Sequence, residues 1–320
     1  MTVTVPPLGL VHDPGPIPLL PAPDREIAVL GRTPVGADRD AVVAHLAQAS
    51  YEVRRRAVQT VHDAGLGHIG GEFSITDVLV TLYLHVMNIS PEQVAEGDPE
   101  RDRVVLSKGH AANALYTVLA VGGYIAPEAL RTFMQPESML NGHPARGKIR
   151  AVEANTGPLG HGLPIAVGTA VAAQIDGSPR RTFVLLGDGE LQEGSNWEAL
   201  MTAGHRGLSN LCAVVDRNRL QQGARVADTN DLEPLADKVR AFGWDVVEVD
   251  GHDHAALLDA FAGVPAASGR PTFVIARTDK GHPVSYMRDH VAWHHKVPSA
   301  EQVTQALAEL DALAGGQEEK

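Results

Sequence analysis

Short apolar runs alternate with amphipathic segments along the chain from about residue 40 onward. The apolar runs are four to five residues long, and most are flanked by Gly, Asp or Pro, so they predict strands at 103–106, 182–186, 211–215, 245–249 and 272–276. The segments between them have helical spacing, which predicts helices at 111–121, 163–175, 196–205, 232–242 and 254–261. This alternation predicts an α/β fold, with a parallel sheet flanked by helices on both faces. Ligands of such a sheet bind at the carboxyl ends of its strands.

The first 38 residues differ from the rest because they are rich in proline. Proline fixes φ and removes a backbone donor, so this stretch cannot form a helix or a central strand. The prolines are Pro6, Pro7, Pro14, Pro16, Pro18, Pro21 and Pro23. We expect residues 1–38 to form an extended arm, either a flexible tail or a strap across a partner subunit. One domain follows at 39–300, and a short helix with a charged tail at 301–320.

Composition narrows the class of protein. The chain has 320 residues, 44% of them apolar, and a net charge of −12, which argues against nucleic acid or an anionic membrane as the main partner. Its single cysteine, Cys212, excludes a disulfide framework and fits a reducing cytoplasm. No apolar run reaches the ~18 residues of a spanning helix, and the start lacks the charged region of a signal peptide. We therefore expect a cytoplasmic α/β protein.

Two neighbouring strands are predicted to end in polar residues that suit a cation. Gly187, Asp188 and Gly189 follow the strand at 182–186, and Asn218 follows the strand at 211–215. A carboxylate oxygen, an amide oxygen and a free backbone carbonyl at Leu220 would supply half of the octahedral shell that Mg²⁺ prefers, with phosphates and water completing it. The two glycines allow close approach of a ligand. The alternative is that Gly-Asp-Gly is only a turn.

A second element, 156–162, precedes the helix predicted at 163–175. Small residues at a helix N-terminus expose free N–H groups and a partial positive charge, which suits a phosphate. The sequence has neither G-x-G-x-x-G at this point nor a G-x-x-x-x-G-K-[ST] loop, so a nicotinamide dinucleotide and P-loop hydrolysis are disfavoured. A site for a metal and a diphosphate fits better.

Histidines recur in loops flanked by glycine. His68, His110 and His143 lie in such loops, and His294 follows Trp293 near the end of the chain. Histidines at strand ends can transfer protons or bond to hydroxyl groups. Each could instead be a structural loop residue, and a zinc site is disfavoured because H-E-x-x-H is absent. Together they predict a pocket for a polyhydroxylated or phosphorylated substrate.

With these motifs in this order, the sequence resembles the N-terminal, diphosphate-binding domain of the transketolase family, in the form encoded as a separate subunit. The resemblance covers about residues 40–300 and rests on the motifs at 67–74, 106–110, 142–144, 156–162, 187–194 with Asn218, and 293–296. It implies the thiamine diphosphate-binding fold of the diphosphate (PP) type. It also implies transfer of a two-carbon ketol unit from a ketose, or ketose phosphate, to an aldose.

The resemblance implies roles for individual residues. Asp188, Asn218 and the Leu220 carbonyl would bind Mg²⁺ or Ca²⁺, which bridges the diphosphate of thiamine diphosphate. The residues implied to line the cofactor are Gly157, Pro158, Leu159, Gly160, Gly187, Gly189 and Glu190. Three histidines, His68, His110 and His143, would face the reacting carbon and the sugar hydroxyls, with His294 on a closing loop. Glu193 would join a buried carboxylate chain linking paired active sites.

In this family a glutamate on a separate pyrimidine-binding domain activates the cofactor. We expect no room for that domain in this chain, so the chain would be inactive alone and would assemble with a partner subunit, as α₂β₂. The alternatives are a subunit of a 2-oxo acid dehydrogenase E1 α type, a 1-deoxyxylulose-5-phosphate-synthase-like enzyme, and a non-catalytic binding or regulatory paralogue. The chain departs from the family pattern near the pocket mouth, at Glu72, Arg219, His282 and His295.

Overall fold

The computed structural model describes residues 17–318, and the core of this part is a parallel sheet of five strands. The strands are β1 (Arg103–Leu106), β2 (Thr182–Gly187), β3 (Leu211–Arg217), β4 (Asp245–Asp250) and β5 (Thr272–Arg277), in the spatial order β1-β2-β3-β5-β4. All four strand pairs are parallel. Each strand lies where its apolar run predicted it, and the predicted fold class is confirmed.

Helices connect the strands and cover both faces of the sheet. They are α1 (Arg39–Ala64), α2 (Ile69–Thr81), α3 (Pro91–Glu96), α4 (Ala112–Val121), α5 (Gly162–Asp176), α6 (Gly194–Arg206), α7 (Val226–Asn230), α8 (Leu235–Ala241), α9 (His254–Ala262) and α10 (Ala300–Glu318). Short 3₁₀ helices occupy Gly109–Ala111, Pro127–Thr132, Gly189–Gln192 and Val291–His294, and a π-helical turn, Leu82–Val86, continues α2. None of the helices within residues 17–318 is both long and apolar enough to cross a membrane.

Alternate residues of the strands face two separate hydrophobic cores. Leu185 and Val214 point into a core with α1, α2, α4 and α9. Leu186 and Val215 point into a second core with α5, α6 and α8. Since successive strand residues face opposite sides, both faces must be covered, which explains why the strands are apolar throughout.

Helix α2 is the main element that was not predicted from the sequence. The segment 67–71 was expected to be a loop, but it starts a helix, with His68 at the N-cap position. Every residue of α2 is buried, so it has no polar face to show helical periodicity. Gly70 permits this packing, because a Cβ there would lie 2.6 Å from the carbonyl oxygen of Trp293.

Residues 17–38, the described part of the predicted arm, form neither helix nor strand and lie against their own domain. Leu20 and Ile27 are buried in the first core, and the Leu20 amide donates to the Arg131 carbonyl at 2.7 Å. The Arg32 guanidinium donates to the carbonyls of Tyr83 (3.0 Å), Ile89 (2.9 Å) and His85 (2.7 Å). Residues 1–16 lie outside the described residues, and a strap across a partner stays a prediction.

Helix α10 packs on the same domain. Val303 and Ala306 join a third cluster with Val58 and Val61 of α1 and with Phe73 of α2. The segment predicted as a separate C-terminal helix therefore shares a core with the elements that carry the candidate site.

Candidate active site

A cavity of about 360 Å³ opens at the carboxyl ends of β2 and β3. Its position follows from the register, since Gly187 at the end of β2 pairs with Asp216 near the end of β3. The lining residues that were predicted from the sequence are His68, His110, His143, Gly157, Leu159, Gly187, Asp188, Gly189, Glu190, Glu193, Asn218, Leu220 and His294. Chain segments far apart in sequence therefore meet where a parallel sheet places its ligands.

Asp188 is a buried carboxylate at the floor of this cavity, with 4% of its surface exposed. Its Oδ1 accepts a hydrogen bond from the amide of Gly189 at 2.8 Å, and its Oδ2 accepts one from the amide of Arg219. Burial, reinforced by the nearby Asp216 carboxylate, raises the pKa of Asp188 to about 6. Asp188 forms no ion pair with a Lys or Arg within residues 17–318. A bound cation would supply the missing charge.

Asn218 is held from both ends of its amide. Its Nδ2 donates to Asp216 Oδ2 at 3.3 Å, and its Oδ1 accepts from the Leu220 amide at 3.1 Å. Since an amide oxygen can accept a second contact, Oδ1 keeps a lone pair for a ligand.

Asp216 and Lys108 form a buried ion pair that was not predicted from the sequence. Asp216 is fully buried, and its carboxylate accepts from Lys108 Nζ, from Ser74 Oγ at 2.6 Å and from Thr278 Oγ1. Burial alone would raise the pKa of Asp216, but the Lys108 ammonium and these hydrogen bonds outweigh burial and lower it. Lys108 also donates to the Gly71 carbonyl at 2.9 Å, which ties the segment after β1 to the first turn of α2.

The Leu220 carbonyl is not free, which corrects the prediction. It accepts a hydrogen bond from Lys280 Nζ at 3.1 Å, and the same ammonium lies 2.8 Å from His294 Nδ1. Burial, together with the nearby Lys108 charge, lowers the pKa of Lys280 to about 8. A cation at this carbonyl would share it with Lys280 or displace the ammonium.

The glycine-rich element at 156–162 is shaped by Glu190. Oε1 of Glu190 accepts from the Gly160 amide at 3.1 Å and from Ser107 Oγ, and Oε2 accepts from the Gly187 amide at 3.0 Å. The Gly160 N–H, expected to be free for a phosphate, is therefore already bonded. Gly157 and Leu159 line the cavity, whereas Pro158 does not.

All four predicted histidines surround one space. The ring centroid of His68 lies 5.3 Å from that of His110, 6.2 Å from that of His143 and 5.7 Å from that of His294. His295 lies closer still, at 4.6 Å. Burial lowers the pKa of His68 to about 4 and that of His294 to about 3, and neighbouring charges, among them Lys280, act in the same direction. The rings of His68 and His294 are therefore neutral at pH 7, able both to donate and to accept hydrogen bonds.

Glu193 lines the cavity but is exposed in this chain. The buried carboxylate chain that it was expected to join would need a second chain to cover it. That role stays a prediction.

Three residues that shape the cavity were not predicted as site residues: Lys108, Asp216 and Lys280. The first two lie close to predicted ones in the sequence, since Lys108 precedes His110 by two positions and Asp216 precedes Asn218 by two. Side chains two positions apart on a strand point to the same face. That rule could have indicated Asp216.

The fold and the cavity together define an α/β protein with a candidate ligand site at the carboxyl edge of a parallel sheet. Residues 46–311 match the family model described as "Transketolase, thiamine diphosphate binding domain". The chain belongs to this family, and the resemblance found in its motifs is confirmed.

Relatives and solved structures agree with this assignment. The chain is 42% identical to the A subunit of apulose-4-phosphate transketolase from Phocaeicola vulgatus over 257 residues, which cover 80% of this chain and 90% of that protein. It is 40% identical to the SqwG subunit of 6-deoxy-6-sulfo-D-fructose transketolase from a Clostridium species over 259 residues, 81% of this chain and 94% of that protein. Transketolase from Leishmania mexicana superposes with a TM-score of 0.77 at 29% identity, covering 83% of this chain and 41% of that one. The chain thus matches nearly the whole of two separate transketolase subunits and about two fifths of a longer transketolase.

Proposed function

We propose that the chain is the N-terminal subunit of a two-subunit transketolase, which moves a two-carbon ketol unit from a ketose or ketose phosphate to an aldose. The observation that carries this proposal is the meeting of Asp188 and Asn218 with His68, His110 and His294 around one cavity. Binding of a cation together with its diphosphate would need only the first pair. The neutral imidazoles add groups that can bond to sugar hydroxyls and move protons.

The residues present fit thiamine diphosphate with Mg²⁺ or Ca²⁺. Asp188 is a buried carboxylate without a Lys or Arg partner within residues 17–318, and its oxygens retain lone pairs beyond the two backbone N–H bonds. Asp188, Asn218 and the Leu220 carbonyl would hold the cation, and hard divalent cations prefer such oxygen ligands. When bound, the cofactor supplies a nucleophilic carbon and an electron sink for the cleaved fragment.

The chain's own residues prepare the cavity for an anionic ligand. Lys280 is buried and, unlike Lys108, forms no ion pair with an Asp or Glu within residues 17–318, so its charge acts in a medium of low polarity where attraction to a diphosphate is strong. Gly157 brings the backbone close to the cavity, because a Cβ there would lie 3.1 Å from the His143 ring. His294 Nδ1, bonded to Lys280, is held on a segment that reaches the cavity from the far end of the chain.

The proposal includes a second polypeptide. Two relatives that match this chain over nine tenths of their length are named as transketolase subunits. We infer a partner that carries the pyrimidine-binding domain and its catalytic glutamate, in an α₂β₂ assembly. Glu193, exposed at the cavity in this chain, is the group that such a partner would cover.

The proposed substrates are sugars with an anionic terminus. This proposal is supported by the names of two relatives, which refer to a sugar phosphate and to a sulfo sugar. We also propose a cytoplasmic location, which is supported by a single, fully buried thiol, Cys212.

An assay of donor consumption tests this function. The chain, combined with a pyrimidine-domain partner subunit, thiamine diphosphate and Mg²⁺, should consume a ketose phosphate only when an aldose acceptor is present. Pyruvate should not be consumed. Consumption of pyruvate instead would indicate a 2-oxo acid dehydrogenase or a deoxyxylulose-phosphate-synthase-like enzyme. The variant Asp188→Asn should be inactive, and Asp228→Asn, an exposed aspartate, should match the wild type.

A further inference from the structure

Glu72 is a carboxyl group buried next to the cavity that the proposed function leaves without a role. Only 1% of its surface is exposed, and it pairs with no Lys or Arg within the part of the chain that the structure describes. Burying a carboxyl group without a counter-charge costs free energy. A carboxyl group buried at that cost beside the cavity calls for a physical explanation.

The contacts of Glu72 lead directly to His68. Oε1 of Glu72 accepts a hydrogen bond from the backbone amide of His68 at 3.1 Å. His68 is the N-cap residue of α2, and its own side chain makes no capping bond. The Glu72 carboxyl therefore satisfies an N–H group at a helix start that has no partner inside the helix.

The other carboxyl oxygen fixes Glu72 itself. Oε2 accepts from Asn113 Nδ2 at 3.0 Å, and the same Nδ2 donates to the Ala57 carbonyl at 3.2 Å. Both Asn113 and Ala57 are buried. Helices α1 and α4 thus set the position of the Glu72 side chain, which in turn sets the position of the His68 backbone.

We propose that Glu72 is a positioning residue of the transferase reaction, which holds the backbone of His68 so that the His68 ring stays among the other rings of the cavity. This inference rests on the proposed function. The His68 ring lies 5.3 Å from His110 and 4.6 Å from His295, so a shift of its backbone changes several contacts at once. Displacements of about 1 Å at a reacting group can lower rates by about 100-fold.

The acid-base state of Glu72 fits this role. Burial raises its pKa to about 7, against the opposing effects of the Asn113 and His68 hydrogen bonds and of the Lys108 charge. A neutral carboxyl still offers a carbonyl oxygen to the His68 N–H, so the bond survives protonation.

Two substitutions separate positioning from a purely structural role. Glu72→Gln keeps a carbonyl oxygen for the His68 N–H. Glu72→Met fills a similar volume without an acceptor. It removes the buried carboxyl but leaves the His68 N–H without its partner, so these two effects on stability oppose each other. Glu52→Gln is the control, because Glu52 is also buried but bonds to Arg25 of the arm at 2.6 Å, away from the cavity.

The first readout is amide hydrogen exchange of His68 in the purified chain, which needs neither partner nor activity. We expect slow exchange of the His68 amide in the wild type, in Glu72→Gln and in Glu52→Gln. In Glu72→Met this amide loses its acceptor, so it should exchange at least about tenfold faster. The second readout is kcat and KM in the complex with a partner subunit. In Glu72→Met, kcat should fall about 10- to 100-fold with little change in KM. Glu72→Gln should keep a kcat close to that of the wild type.

The proposal is overturned if Glu72→Met keeps the wild-type exchange rate at His68, or keeps the wild-type kcat while that amide exchanges faster. It is also overturned if the kcat of Glu72→Met falls only in proportion to the stability that this variant loses, or if Glu52→Gln lowers kcat by the same factor. If the complex shows no transferase activity in the wild type, the proposed function fails, and the exchange data alone still decide whether Glu72 holds His68.

Discussion

Asn218 donates a hydrogen bond from Nδ2 to Oδ2 of Asp216 at 3.3 Å. Because Nδ2 of the Asn218 side chain is held by Asp216, its Oδ1 faces the backbone N–H of Leu220. This is the side on which a cation ligand is needed. Asp216 itself is held by the buried ammonium of Lys108. The orientation of a candidate metal ligand thus depends on an ion pair behind it.

Asp216→Asn should therefore weaken both the fold and cofactor binding. It leaves the Lys108 charge buried without a partner, which should cost about 3–5 kcal/mol of stability. It also leaves one acceptor oxygen where the carboxylate has two, so Asn218 has to compete for it with Lys108, Ser74 and Thr278. With Asn218 less firmly oriented, Mg²⁺-dependent affinity for thiamine diphosphate should fall at least about tenfold. Urea unfolding and calorimetry measure the two effects. The double variant Lys108→Met/Asp216→Asn should recover stability but not affinity, and wild-type affinity in either variant would contradict this account.

Gly160→Ala should damage the phosphate-binding element. Gly160 has φ of +82°, and an added Cβ would lie 2.6 Å from the Cβ of Glu193. Besides about 1–2 kcal/mol of backbone strain, the contact should displace Glu193 and weaken cofactor binding. Gly177→Ala is a matched control with φ of +66° and open space around it. It should show similar strain in thermal unfolding and unchanged binding in calorimetry, and equal binding losses in both variants would refute the prediction.

Glu72→Gln should change how stability depends on pH. The pKa of Glu72 is raised from 4.5 to about 7 in the folded chain. The wild-type carboxyl is therefore protonated in the fold but ionised in the unfolded chain between these values, so the wild type loses stability as pH rises through this window. Glutamine does not titrate, so the advantage of Glu72→Gln should grow by roughly 2–4 kcal/mol as the pH rises across this window. Urea unfolding at several pH values measures this, and parallel curves would contradict it.

Arg32→Ala should show that residues 17–38 stabilise their own domain. The Arg32 guanidinium donates to three backbone carbonyls in and just after the π-helical turn that follows α2. Loss of these charge-assisted bonds should cost about 2–4 kcal/mol, while cofactor affinity stays unchanged. Arg39→Ala, which removes an exposed pair with Asp259, should have no measurable effect on unfolding. A stable Arg32→Ala chain would mean that these contacts contribute little.

The sheet could be predicted well because its strands are buried on both faces and therefore appear in the sequence as continuous apolar runs. Helix α2 was missed for the same physical reason: it is buried on every side and has no amphipathic period. The arm was correctly expected to lack helix and strand in its described part, since proline dictates this locally. Its contacts with Tyr83 and Val121 depend on the folded surface and cannot be read from local pattern.

In the candidate site, too, features set by the local sequence were predicted, and contacts between distant residues were not. Asp188 and Asn218 were predicted because they follow two neighbouring strands, and the four histidines because they stand in ordered motifs; all six line the cavity. The Lys108–Asp216 pair joins residues 108 positions apart, and no local rule predicts such a pairing. The Leu220 carbonyl was expected to be free, but Lys280, 60 positions later, bonds to it.

One measurement tests the central claim most directly: transfer of a two-carbon unit from a ketose phosphate to an aldose, measured with the chain alone and with a pyrimidine-domain partner subunit. Thiamine diphosphate and Mg²⁺ are present in both reactions. We predict no transfer by the chain alone and full activity on adding the partner, with a maximum at equal amounts of the two polypeptides. Transfer at a normal rate by the chain alone would contradict the account.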